Sequence, residues 1–147
     1  MSRIPERPTA DRLSTHYGIV IHTVKSARPD PESFLPLSAG AFDVLVALAD
    51  GEKHGYAILK DIRRRTGGVT HLTAGALYAV IKRLSDEELI EESDERPDAA
   101  LDDERRRYYR ITSLGRSVAR AEVRRMEVAL TRARTKKLFG RPSRAGE

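Results

Sequence analysis

The chain contains no cysteine. That excludes a disulfide framework, a thiol nucleophile and any zinc site built on thiolates, and it is compatible with a reducing cytosol. There is no tryptophan, and aromatic residues make up 5% of the chain, so no obvious stacking cage for a planar ligand stands out. No apolar run approaches the roughly 18 residues that span a bilayer. The opening segment, MSRIPERPTADRLS, lacks the apolar stretch of a secretory signal, and a cytoplasmic protein is expected. Motifs for catalysis are missing as well. There is no Gly-x-Ser-x-Gly elbow, and there is neither an HExxH pair nor a P-loop. Of the four histidines, His16 and His22 fall in the segment least expected to fold. The acidic group Asp94, Glu95, Asp98, Asp102, Asp103 and Glu104 has neither the spacing nor the glycine of an EF-hand, and reads as a solvated loop. No enzyme, metal or cofactor is expected.

What the chain does have is helix pattern and positive charge. Its 147 residues are 39% hydrophobic and 33% charged, the balance of a globular domain with a charged surface. The size suits one domain, or a compact domain with an appendage. Twenty-seven basic residues against 22 acidic ones give a net charge of +5, which favours nucleic acid or an anionic membrane as partner. The distribution is uneven. Arginines bunch at 105, 106, 107 and 110, and again at 116, 120, 124 and 125. Arg132, Arg134, Lys136 and Lys137 follow, while acidic residues cluster between Asp86 and Glu104.

Residues 1–36 carry Pro5, Pro8, Pro29, Pro31 and Pro36 and read as a largely irregular extension. Within them Tyr17–Val24 is rich in β-branched residues and is a candidate short strand or docking segment. From there the pattern is helical. Ser38 is a candidate cap for a helix over about 39–50, with Phe42, Leu45, Val46, Leu48 and Ala49 at helical spacing and Gly51 as its stop. A second helix is expected over about 54–65, with Tyr56, Ile58, Leu59 and Ile62 on its apolar side and Gly67-Gly68 after it. A third starts near Thr73 and turns Leu77, Val80, Ile81 and Leu84 to one face. The period then changes. Leu89–Glu92 and Arg107–Ile111 read as two strands around a polar loop, with Tyr109 and Ile111 on one face. A long helix over about 113–138 follows, capped by Thr112 or Ser113, and the tail from Gly140 is polar. The expected fold is mainly α with a small β-hairpin. A winged helix-turn-helix would occupy 37–112, a dimerisation helix 113–139 and a flexible tail 140–147.

Several blocks then carry a resemblance. They are Leu48-Ala49-Asp50-Gly51 with His54-Gly55-Tyr56, Gly75-Ala76-Leu77-Tyr78 with Lys82-Arg83-Leu84, and Leu89-Ile90. Arg106-Arg107-Tyr108-Tyr109-Arg110-Ile111-Thr112 ahead of Gly115 completes the set. In this order and spacing the chain resembles the PadR-like family of transcriptional regulators over about residues 37–135. The resemblance implies a winged-helix domain, a C-terminal dimerisation helix and binding to palindromic promoter sites, most often as a repressor. It also implies that a small aromatic or drug-like effector is possible. There are departures. The family usually sets proline and a hydroxyl residue around the glycine of the third helix, where this chain has Ala74 and Ala76. It tends to have glycine before Leu89, where this chain has Glu88. The first loses a potential phosphate contact, and the second puts the turn into the first strand in question.

In a helix-turn-helix protein the recognition helix lies in the major groove and the preceding helix crosses the backbone. Thr73, Ala74, Gly75 and Ala76 would then sit at the tip of the recognition helix, where small side chains permit close approach and read little beyond thymine methyls and shape. Tyr78, Lys82 and Arg83 are candidate phosphate contacts. His54 and Tyr56 open the second helix, whose free N–H groups favour an anion, although Tyr56 packed in the core is an equal alternative. Arg63, Arg64 and Arg65 read as a solvated face. Arg105, Arg106 and Arg107 lie at the return of the wing and are candidate minor-groove contacts, unless they offset Asp102, Asp103 and Glu104 beside them. On the last helix Leu114, Val118, Ala119, Val123, Met126, Leu130 and Ala133 form the candidate dimerisation stripe, with folding back onto the chain's own first helix as the alternative. The function read from this pattern is a homodimeric, sequence-specific binder of double-stranded DNA that regulates transcription. The rival is a winged helix used for protein contact without specific DNA binding.

Overall fold

The computed structural model describes residues 27–94 and 106–139. The candidate strand Tyr17–Val24, Arg105, the acidic loop from Glu95 to Glu104 and the tail from Gly140 lie outside the described residues. The elements run α1 (Ala39–Ala47), β1 (Lys53–His54), α2 (Gly55–Arg65), α3 (Ala74–Asp86), β2 (Ile90–Ser93), β3 (Tyr108–Ile111) and α4 (Ser113–Thr135). A 3-10 turn over Pro31–Phe34 precedes them. No helix among the described residues is long and apolar enough to cross a membrane.

Each helix starts on a side chain that satisfies a backbone donor the helix itself leaves free. Ser38 Oγ accepts the Ala41 N–H at 3.2 Å, and Thr73 Oγ1 accepts the Ala76 N–H at 3.2 Å. Thr112, not Ser113, caps α4, accepting the Gly115 N–H at 3.0 Å. For α2 the cap is His54, whose ring Nδ1 accepts the Ala57 N–H at 3.2 Å. His54 therefore precedes the helix rather than opening it. Helix ends follow a common pattern as well. Gly67, with φ of 59°, turns the chain out of α2, and the Gly68 N–H bonds back to the Arg63 carbonyl.

The end of α3 repeats that turn without a glycine. Glu88 has φ of 58°. Its N–H bonds to Ser85 O at 3.0 Å, and the Leu89 N–H bonds to Leu84 O at 2.9 Å, the paired bonds of a Schellman turn. Leu84 and Leu89 are both fully buried, and their packing holds a left-handed residue with a side chain in place. The turn expected from a glycine is kept, at a local conformational cost.

The sheet has three strands in the order β1-β3-β2, all antiparallel. β2 and β3 are the expected hairpin, in register Ile90↔Ile111 through Ser93↔Tyr108. β1 was not expected. Its two residues pair Lys53↔Tyr109 and His54↔Tyr108, and a strand that short has no periodicity to read. Leu89 lies before β2 as part of the turn. Tyr109 joins the core, as expected for its face, while Tyr108 on the other face is also buried, with its ring edge against His54 at 5.5 Å.

The core gathers Val44, Leu45 and Leu48 of α1 and its end, Ile58 of α2, Leu77 and Leu84 of α3, Leu89, Ile90 and Val118. The presence of Val118 corrects the sequence reading. Residue 118 was assigned to dimerisation, but it is fully buried in the chain's own core and offers nothing to a second copy. Leu114 and Ala119 also pack, half-buried, against that core. Helix α4 packs against α1 and the 3-10 turn, covering apolar surface that the other helices leave open.

The packed chain also begins before α1. Phe34 and Leu35 pack on the core. Glu122, buried on the neighbouring face of α4, accepts two hydrogen bonds from Arg125, at 2.8 and 2.7 Å, and the Leu37 N–H also bonds to it. The Arg125 guanidinium, helped by that N–H and opposed by burial, holds the Glu122 carboxyl below its ordinary range.

Two outcomes follow from these contacts. Glu88→Gly removes the left-handed penalty and is expected to stabilise the fold by about 1 kcal/mol, read as a higher midpoint in urea unfolding. Glu122→Gln is expected to cost about 1–2 kcal/mol at neutral pH. Because the folded-state value is depressed, the stabilisation is present above the unfolded value of about 4.3 and is lost as pH falls through the folded one. The gap between the melting curves of the two proteins should therefore start to close as pH falls below about 4 and go on closing as the folded carboxyl is protonated, and a gap unchanged with pH would show that the charge of Glu122 contributes nothing.

Candidate nucleic-acid interface

The pairing of β1 with β3 brings the start of α2 beside the return of the wing. His54 stands opposite Tyr108 in the sheet, so Arg106 and Arg107, just before β3, fall next to the His54 ring. Arg106 Nη1 is 3.4 Å from His54 Nε2. Tyr78 of α3 enters from a third side. A Cβ built on Gly55 would stand 2.8 Å from the Tyr78 hydroxyl, and the missing side chain is what lets the phenol lie across the start of α2. The result is a cleft of about 240 Å³ lined by His54, Gly55, Tyr56, Tyr78, Arg106, Arg107 and Tyr109.

The cleft is rich in hydrogen-bond donors. Burial, reinforced by the nearby Glu92 carboxylate, raises the Tyr109 phenol above its ordinary range, so it remains a hydroxyl. Arg107 Nε lies 3.8 Å from Glu92 Oε1, a loose and exposed pair. Tyr56 is 66% exposed and Tyr78 54%. The core alternative for Tyr56 is therefore not what folds; its ring lies parallel to His54 at 6.4 Å.

Beyond the cleft, Thr73, Ala74, Gly75 and Ala76 form the exposed tip of α3. The Thr73 hydroxyl serves as the cap. A Cβ on Gly75 would meet nothing within 4 Å, so the fold does not require glycine there. Lys82 and Arg83 lie further along the same exposed side, each in an ion pair one turn on: Lys82 with Asp86 at 2.7 Å and Arg83 with Glu87 at 3.0 Å. Exposed pairs of this kind contribute about 0.2–1 kcal/mol, too little to hold the cations from a phosphate. The arginines of α2 are all exposed, as the solvated face expected of them requires. Arg64 and Arg65 also both bond to Asp61, which is buried, and Arg65 reaches Asp50. These two serve the fold from the exposed face.

The sequence missed Gly55 and Tyr109 as parts of this site. Gly55 sat in the quoted His54-Gly55-Tyr56 block, but its role depends on Tyr78, 23 positions later. On the other side of the molecule, α4 leaves Val123, Met126 and Leu130 exposed and Ala133 half-buried. A second cleft of about 410 Å³ opens between α1 and α4, with Phe42, Leu45, Val46, Ala119 and Val123 as its apolar wall and Arg116, Arg120 and Arg124 at its rim.

The model of the transcriptional regulator PadR-like family matches residues 44–121. The chain belongs to the PadR-like family of transcriptional regulators. An uncharacterized protein of Lysinibacillus sphaericus is 36% identical over 74 residues, half of this chain, and the match spans 65% of that relative's length. Among solved structures, a PadR-like transcriptional regulator from Bacillus cereus aligns with a TM-score of 0.57 at 23% identity, covering 68% of this chain and 91% of that one. A transcriptional regulator from Clostridium thermocellum aligns with a TM-score of 0.54 at 25% identity, covering 67% and 90%. These likenesses establish the winged-helix fold for this PadR-like chain. The family match takes in the cleft residues of β1, α2 and α3, the wing strands and the first turns of α4.

Proposed function

We propose that this PadR-like chain is a sequence-specific DNA-binding transcriptional regulator, acting as a repressor on a palindromic operator as a homodimer. The observation that carries the reading is the convergence of His54, Tyr78, Arg106 and Arg107 beside the exposed tip of α3. In a winged helix these are the parts that face the duplex: α3 in the major groove, the start of α2 on the backbone and the wing toward the adjacent minor groove. Thr73, Ala74, Gly75 and Ala76 carry little hydrogen-bonding capacity, so base reading is modest and backbone contact with shape readout supplies most of the affinity. Lys82 and Arg83 exchange their helix carboxylates for phosphates.

The homodimer rests on Val123, Met126 and Leu130, which recur at heptad spacing and are exposed in the single chain. The apolar cleft between α1 and α4 continues that stripe and takes the partner's last helix. The part of this cleft left open suits a small organic effector with an apolar body and an anionic group, matched to its apolar wall and arginine rim.

Binding is tested by fluorescence anisotropy on a duplex from upstream of the gene, against an unrelated duplex, at several salt concentrations. Submicromolar, selective binding with a steep salt dependence is expected. Lys82→Ala and Arg83→Ala should each lower the salt slope by about 1 and weaken all duplexes alike. Equal, weak binding to every duplex favours the rival in which the winged helix contacts a protein. For assembly, sedimentation should give the wild type as a dimer and the double variant Met126→Asp, Leu130→Asp as a folded single chain. A wild type that sediments as a monomer refutes the homodimer.

A further inference from the structure

The end of α4 holds two large apolar side chains out in the open. Lys137 has φ of 56°. Its N–H bonds to Arg134 O at 3.0 Å, and the Leu138 N–H bonds to Ala133 O at 3.1 Å, the paired bonds of a Schellman turn. In such a turn the residue in the place of Leu138 commonly packs back on the residue in the place of Ala133. A single methyl group covers little. Leu138 is left 77% exposed and Phe139 beside it 51%. Arg134 lies over the Phe139 ring at 5.8 Å, so the two residues stand on a defined turn, largely uncovered.

The charge of α4 is one-sided as well. Its acidic residues are Glu122 and Glu127. Glu122 is buried and bonded to Arg125. Glu127 is exposed on the flank of the apolar stripe, outside every ion pair among the described residues. Ala119, Val123, Met126 and Leu130 recur in steps of four and three, the seam of a coiled coil. Two copies meeting antiparallel along this seam set Val123 on the partner's Met126 and Ala119 on the partner's Leu130. Numbers run in opposite directions on the two helices, so the rest of the register follows. Arg120 comes beside the partner's Glu127, once in each half of the pair. Past the seam, the partner's Leu138 arrives level with Ile111. Ile111 belongs to the apolar wall of the cleft between α1 and α4, and Arg120 to its rim. The partner's Lys136 passes toward Arg116, a like-charge approach at the open rim, where salt screens it. A parallel pair instead brings Glu127 opposite the partner's Glu122, and leaves Leu138 at the end of the helix remote from both clefts.

We propose that a second copy completes the cleft between α1 and α4: its last helix lies antiparallel on this one, its Glu127 pairs with Arg120, and its Leu138 and Phe139 seat at the Ile111 end. The inference rests on the homodimer reading and deepens it, by naming the direction, the register and the residues that each copy contributes to the other's cleft. The uncovered turn and the open cleft are two sides of one contact, made twice in the dimer. Since Ile111 is the last residue of β3, that contact reaches the base of the wing.

The chain has neither cysteine nor tryptophan, so each one introduced is its own reporter. Ala119→Cys and Leu130→Cys together in one chain lie about 16 Å apart on the helix, too far to bond each other. Mild oxidation should join two such chains into a covalent dimer, while Leu130→Cys alone should not cross-link. The reverse result, a cross-link through Leu130→Cys alone, shows a parallel pair and overturns the proposal. Phe139→Trp should emit at shorter wavelength in the dimer than in the single chain carrying Met126→Asp and Leu130→Asp; equal emission overturns the seating at the cleft. Arg120→Glu should weaken dimerisation about tenfold, and adding Glu127→Arg should restore most of it. No restoration overturns the ion pair. A wild type that sediments as a monomer removes the homodimer reading and this proposal with it. A wild-type dimer that gives neither the 119–130 cross-link nor the emission shift overturns this proposal alone, and leaves the cleft to a small ligand or another partner.

Discussion

The peptide at Leu89 holds this fold together. Its N–H closes the turn that ends α3, on Leu84 O. Its carbonyl accepts from the Thr112 N–H at 3.1 Å, and the Thr112 hydroxyl donates beside it to Glu88 O at 2.7 Å, at the point where β3 gives way to α4. A Cβ on Gly115 would stand 2.0 Å from that same oxygen, so α4 starts as close to Leu89 as backbone allows. One residue therefore ties recognition helix, wing and last helix in a single bonded unit. Any displacement of α4 is felt at the base of the wing and at the end of α3. Under the proposed function, with assembly on α4 and DNA contacts on α3 and the wing, this would be the mechanical link between the two.

The charges divide into those that serve the fold and those that face outward. Asp61 and Glu122 are buried carboxylates, and each takes arginines nearby in sequence: Arg64 and Arg65 for Asp61, Arg125 for Glu122. A buried carboxylate without such a partner is costly, so these arginines are not spare. Lys82 pairs with an exposed carboxylate and Arg83 with a half-buried one, and both cations are themselves exposed. Arg106 lies against the His54 ring at the mouth of the cleft. Counting arginines along the chain overstates the surface proposed to face DNA, because the count does not separate these roles.

Much of the architecture was legible. Ser38, Thr73 and Thr112 announce the helix starts because a hydroxyl before an apolar periodic run has one clear use, and Leu77, Ile81 and Leu84 announce a buried face by spacing alone. The wing was legible from Tyr109 and Ile111. What was not legible depended on partners distant in sequence. Lys53–His54 is a strand only because β3 lies beside it. Val118 extends the apolar face at the start of α4, yet it is core, since the first turns of α4 cross the chain's own helices before the stripe emerges. Glu122 reads as one more charge on a charged helix until Leu37 is brought against it.

By itself the sequence determined the order of the four helices and the wing hairpin, the caps at Ser38 and Thr73, and the concentration of positive charge around the wing and last helix. These are local properties, set by side-chain spacing over three or four residues and by the chemistry of single caps. Tertiary structure alone decided which arginines are occupied, which part of the last helix is free, and that His54, Gly55, Tyr78 and Arg106 share one cleft. Those outcomes depend on contacts between residues far apart in the chain, 52 positions for His54 and Arg106 and 67 for Ala49 and Arg116. The local pattern does not encode such contacts, because they exist only once the core has closed and β1 has paired with β3.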